Sequence, residues 1–97
     1  IVIPAGKGLE YKLLLNAGEH LEYDWRTDGS KLYFDFHGEP QGDKTGFYES
    51  FAITTSDQMQ GTLTTPFAGA HGWYWKNKTS EPITVTLKTK GAYVIKG

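Results

Sequence analysis

The chain has 97 residues, no cysteine and a formal charge of −1. Disulfides, thiolate metal sites and cysteine nucleophiles are thereby excluded, and there is no electrostatic footprint for nucleic acid or an anionic membrane surface. With 38% hydrophobic, 14% aromatic and 22% charged residues, the composition is that of a single globular domain, 1–97, whose buried area comes largely from aromatic rings.

No run of about 18 apolar residues is available to span a bilayer. The chain opens Ile1-Val2-Ile3 without an initiator methionine. It is therefore expected to be a piece excised from a longer chain, with any targeting or anchoring segment lying outside it.

Period-two alternation dominates and helical periodicity is nearly absent. Residues 10–16 carry a short apolar run, Leu13, Leu14 and Leu15, that stops at the turn-type cluster Asn16-Ala17-Gly18-Glu19. Residues 20–27 alternate, with Leu21, Tyr23 and Trp25 on one face and His20, Glu22, Asp24 and Arg26 on the other. A weak surface pair is the expectation for Asp24 and Arg26. Asp28-Gly29 is a strong hairpin signal, and it predicts that 20–27 pairs directly with 31–37. In that second strand Leu32, Phe34 and Phe36 point inward, and Tyr33, Asp35 and His37 outward.

Composition makes 38–46 a loop, longer than a simple hairpin needs, and such loops are often functional. A strand over 47–55 is expected to show Phe47, Glu49, Phe51 and Ile53 on one side, ending at Ser56-Asp57-Gln58. The threonine-rich 61–67 segment, with Pro66, reads as an edge strand. His71 to Asn77 then forms a strand carrying Trp73 and Trp75, followed across a polar turn by a partner in which Ile83, Val85 and Leu87 alternate with Thr84, Thr86 and Lys88. Tyr93-Val94-Ile95 closes the chain. About eight short strands at spacings near ten residues indicate an all-β fold, an antiparallel β-sandwich of jelly-roll-like type.

Tyr23-x-Trp25 followed by Asp28-Gly29 and an aromatic strand resembles the front half of the GOLD (Golgi dynamics) β-sandwich. The polar turn, the tryptophan strand ending in Asn77 and the strand from Ile83 to Leu87 are similar to its back half. More closely, from about residue 8 to 94 the chain resembles the soluble domain of the bacterial "transmembrane anchor protein" family. Phe34-Asp35-Phe36-His37-Gly38 and His71-Gly72-Trp73-Tyr74-Trp75-Lys76-Asn77 carry that likeness most specifically. The resemblance implies a GOLD-like, non-catalytic interaction module, exposed to the periplasm behind a single N-terminal membrane helix, in a family loosely associated with metal handling.

Two His-Gly pairs concentrate the functional question. His37 and His71 each stand where a strand meets a loop, and as imidazole donors they suit copper or zinc, with Glu39, Asp35 or Asp43 as oxygen donors. Against this, the pair lacks any HxH or HxxxH spacing. A structural role, each ring N–H pinning a backbone carbonyl, is the stronger reading.

Trp73 and Trp75 share a face and are assigned mainly to the core, which leaves Tyr74 and Tyr33 as the candidate exposed aromatics. Asn77-Lys78-Thr79 formally matches a glycosylation acceptor, but its position in a turn is sufficient explanation. No nucleophile elbow, phosphate-cradling loop or zinc-protease motif is present, so an enzyme is not expected.

The leading expectation is engagement of a protein partner through Tyr33, His37, Glu39, His71 and Tyr74. The alternative is copper or zinc binding through His37, His71 and Glu39. Carbohydrate binding on exposed rings is a weaker third. Sequence alone identifies neither the partner nor the oligomeric state.

Overall fold

The computed structural model describes residues 1–95. Among them are nine strands and no helix: β1 (Val2–Ile3), β2 (Gly8–Leu15), β3 (His20–Thr27), β4 (Leu32–Pro40), β5 (Glu49–Ser56), β6 (Gln58–Thr64), β7 (Gly69–Lys76), β8 (Ile83–Lys90) and β9 (Val94–Ile95). They form two antiparallel sheets with strand orders β1-β8-β3-β6 and β5-β4-β7-β2-β9. The sheets face one another across an aromatic core, which makes the domain an antiparallel β-sandwich.

Alternation determines what fills the core. From the smaller sheet come Leu21, Tyr23, Trp25, Ile83 and Val85; from the larger come Leu13, Leu15, Phe34, Phe36, Trp73 and Trp75, all buried. The indole of Trp25 meets Phe34 and Trp75 edge-on across the layer, at 5.2 and 5.8 Å between ring centroids, and Tyr23 meets Trp73 edge-on at 5.5 Å. Along one sheet Phe36, Trp73 and Trp75 stack in sequence, at 4.8 and 5.8 Å. Offset and edge-to-face contacts are the arrangements that aromatic quadrupoles favour. The tryptophans are thus core residues, as their alternation implies.

Neither expected hairpin forms. β3 pairs with β6 and β8, while β4 pairs with β5 and β7, so Asp28-Gly29 carries the chain from one sheet to the other. The turn is tied to β8 instead: the Asp28 amide donates to the Thr84 carbonyl at 3.1 Å, and the Thr84 amide donates to Asp28 Oδ2 at 3.3 Å. β7 and β8 likewise belong to different sheets. Strands that face each other across a core and strands that share a sheet carry the same alternation, so pattern alone does not separate them. Among the described residues, β4 and β5 are the one pair of consecutive strands that lie in the same sheet, and the repeated crossing gives the jelly-roll-like path.

Two local features shape the larger sheet's outer face. β4 runs on to Pro40, paired with Gly69, so Gly38 and Glu39 are strand residues and the loop begins only after them. Between β4 and β5 the register shifts at Phe36/His37: Phe36 pairs with Ala52 but His37 with Ser50. The bulge inserts Phe51, whose ring packs on Phe36 at 5.3 Å, while Ile53 stays 53% exposed. The expected single face of Phe51 and Ile53 is therefore split.

Candidate functional site

The two His-Gly pairs are direct partners. In the β4–β7 ladder His37 stands opposite Gly72 and Gly38 opposite His71. Residues opposite one another share a face and successive residues alternate, so His37 projects from the outer face of the sheet and His71 into the core. The absent side chains are what permit this. A Cβ at Gly38 would lie 2.7 Å from the His71 ring, and one at Gly72 would collide with the Tyr11 carbonyl and come within 3.0 Å of the Lys12 Cα.

His71 is fully buried between the rings of Phe51 and Phe67, at 6.3 and 5.1 Å. Its Nδ1 lies 3.1 Å from the Gly69 carbonyl, which can only accept, so Nδ1 carries the ring proton. Nε2 has no partner. Burial pushes the imidazole below its ordinary value; the Gly69 carbonyl opposes that shift, and the Lys12 charge adds to it. His71 is a neutral packing residue here and does not join His37.

His37 is also buried, yet it belongs to a polar cluster. Its Nδ1 lies 3.0 Å from the Asp35 carbonyl, which again fixes the proton there and leaves a lone pair on Nε2. Facing that lone pair is the ammonium of Lys12 on β2, at 2.5 Å. The same ammonium donates to Glu39 Oε1 at 2.9 Å and lies 3.6 Å from Glu10 Oε2. β2 and β4 are not neighbours; β7 runs between them, and Lys12 and His37 meet over Gly72, to which both are register partners. Only 6% of the Lys12 side chain is exposed. Its charge is offset by three acceptors rather than by solvent.

Around the cluster lies a recess of about 260 Å³ lined by Glu10, Asp35, His37, Glu39, Tyr48 and Tyr74. The Tyr48 ring meets His37 edge-on at 5.2 Å. Ser50 donates to Asp35 Oδ1 at 2.8 Å, which ties the β5 margin to the same row. Ligand atoms of Glu10, His37 and Glu39 all lie within 4.8 Å of one another. Tyr48 is 53% exposed and its neighbour Phe47 56%, so the margin beside the recess is apolar and accessible. A larger groove of about 670 Å³, floored by Leu14 and Ala70 and flanked by Tyr93 and Val94, shares Glu39 with the recess.

Of the residues expected at a site, Tyr33, His37, Glu39 and Tyr74 occupy the outer face of one sheet, and His71 lies on the opposite face. Tyr33 stands apart from the recess, under the Lys78 ammonium at 4.6 Å from its ring centre. Asp43 caps its own loop instead: the Thr45 hydroxyl and the Phe47 amide donate to its carboxylate and hold its pKa low. The cluster also contains Lys12 and Glu10, which sequence reading did not single out. The available signal was the alternation of β2, since Leu13 and Leu15 inward put Glu10 and Lys12 outward. Asn77 of the glycosylation-like triplet is fully buried, its Nδ2 donating to the Ile3 and Glu81 carbonyls at 2.9 and 2.7 Å, so its role is to hold the β7–β8 connection.

No protein-family model matches the chain, and a search of curated proteins finds no match either.

Proposed function

We propose that this domain is a non-catalytic binding or scaffolding module that engages a protein partner through the outer face of the five-stranded sheet, at its β4–β5 margin. One observation carries the reading: Phe47, Tyr48 and Ile53, each more than half exposed, line the margin beside the recess that contains His37. Aromatic side chains next to a polar, partly buried cluster match the composition of protein-binding hot spots. The likeness of residues 8–94 to the soluble domain of bacterial transmembrane anchor proteins supports a GOLD-like lineage. It also supports a periplasmic location behind a membrane anchor in the full-length protein.

Site-specific photo-crosslinking in cells tests this. A benzoylphenylalanine at position 48 is expected to form a discrete adduct that one at the exposed position 22, on the other sheet, does not. Equal labelling from both positions, or none from 48, would count against the assigned face.

A second reading, binding of copper or zinc, is favoured by the convergence of Glu10, His37 and Glu39 within 4.8 Å. Imidazole with carboxylates and no thiolate suits these ions. His71 is not part of that set, and its third member is Glu10, which the sequence did not single out. Loss of zinc binding on His37→Ala is the outcome this reading requires.

A further inference from the structure

We propose that the Glu10–His37–Glu39 cluster is a divalent-metal site whose ion position is filled by the protein's own Lys12 ammonium, so that a metal enters only by expelling the lysine. The inference rests on the metal-binding reading above and adds to it an internal competitor.

The geometry of the first two ligands carries the argument. His37 Nε2 and Glu39 Oε1 are 3.5 Å apart. Two donors at about 2.0–2.2 Å from a tetrahedral ion stand about 3.4 Å from each other. The position between them is where Lys12 Nζ lies, at 2.5 Å from Nε2 and 2.9 Å from Oε1. An ammonium and a metal ion cannot share that space.

The imidazole is already arranged as a metal ligand. The Asp35 carbonyl holds the proton on Nδ1, so the Nε2 lone pair faces the ion position, and Ser50 in turn steadies the Asp35 side chain. Backbone carbonyls and carboxylates serve ligating histidines in this way. Glu10 supplies a third donor from an exposed side chain free to swing inward, and the recess leaves a further position open to water.

Charge favours the exchange. The ammonium offsets only one of the two carboxylate charges, whereas a divalent ion in its place would offset both. The lysine stem is long and flexible, and the adjoining recess gives its head a route to solvent.

Isothermal titration of the wild-type protein, Lys12→Met and Lys12→Met/His37→Ala with Zn²⁺ tests the proposal, with Lys12→Gln as a second neutral variant and circular dichroism confirming that each is folded. Ring ¹⁵N shifts of His37 report whether the ion sits at Nε2. The expected result is at least tenfold tighter binding to Lys12→Met and Lys12→Gln than to the wild type, with the gain lost in the double variant. Equal His37-dependent affinity in the wild type and both lysine variants would overturn the competitor role while leaving the metal reading intact. Absence of His37-dependent binding in every variant would overturn both.

Discussion

His37 and His71 sit on neighbouring strands, each directly opposite the other's glycine, and point to opposite sides of the same sheet. Two equivalent dipeptides thus acquire opposite roles from one register. His71 fills the core between two phenylalanines, whereas His37 anchors a charged cluster beside an exposed aromatic margin.

The cluster depends on Gly72. Lys12 and His37 reach each other because the strand between their own presents no side chain there. Gly72→Ala is expected to destabilise the fold by about 1–3 kcal/mol, the range for forcing atoms into a filled space. Urea unfolding measures the loss. Altered Lys12 and His37 resonances in the residual folded state are the accompanying local signature.

His71 makes stability depend on pH in a definite direction. Its folded pKa is depressed below the ordinary value of 6.5. The unfolded chain therefore takes up the proton first, and stability is present above 6.5 and falls as the pH drops from there toward the folded value. The slope from this one group is at most about 1.4 kcal/mol per pH unit. His71→Phe keeps a ring between Phe51 and Phe67, and unfolding free energies across mildly acidic pH are expected to vary less in that variant than in the wild type.

Asn77 is the pin of the β7–β8 crossing. Its side chain donates to two carbonyls from different segments and accepts from the Thr79 amide and hydroxyl, at 2.9 and 2.7 Å. Asn77→Ala strands several buried groups and is expected to cost about 2–4 kcal/mol, since each unsatisfied partner costs about 1–3. Asn77→Asp places a carboxylate against the carbonyls of Ile3 and Glu81 and is expected to cost more. Thermal denaturation ranks the two.

The inward rows were legible in the sequence. Leu21, Tyr23 and Trp25, or Leu32, Phe34 and Phe36, declare their face because a strand alternates sides with every residue. Which strands stand side by side was not legible. The Asp28-Gly29 turn fits a hairpin as well as a crossing, and only the ties from Asp28 to Thr84 distinguish them. The bulge at Phe51 was hidden for a related reason, since it depends on the partner strand. Half of the polar cluster was visible, as His37 and Glu39, because those residue types suggest chemistry. Lys12 was passed over because a lysine on an outward face is ordinarily solvated. Its burial is created by Gly72 and His37, which belong to two other strands.

Nuclear magnetic resonance of the Lys12 ammonium and the His37 ring tests the cluster most directly. The expected result is a Lys12 NH₃⁺ signal protected from solvent exchange, a His37 ring whose proton is on Nδ1 rather than Nε2, and loss of the lysine signal in His37→Ala. A His37 ring protonated at Nε2, or a Lys12 ammonium that exchanges as fast as the exposed lysines, would contradict it.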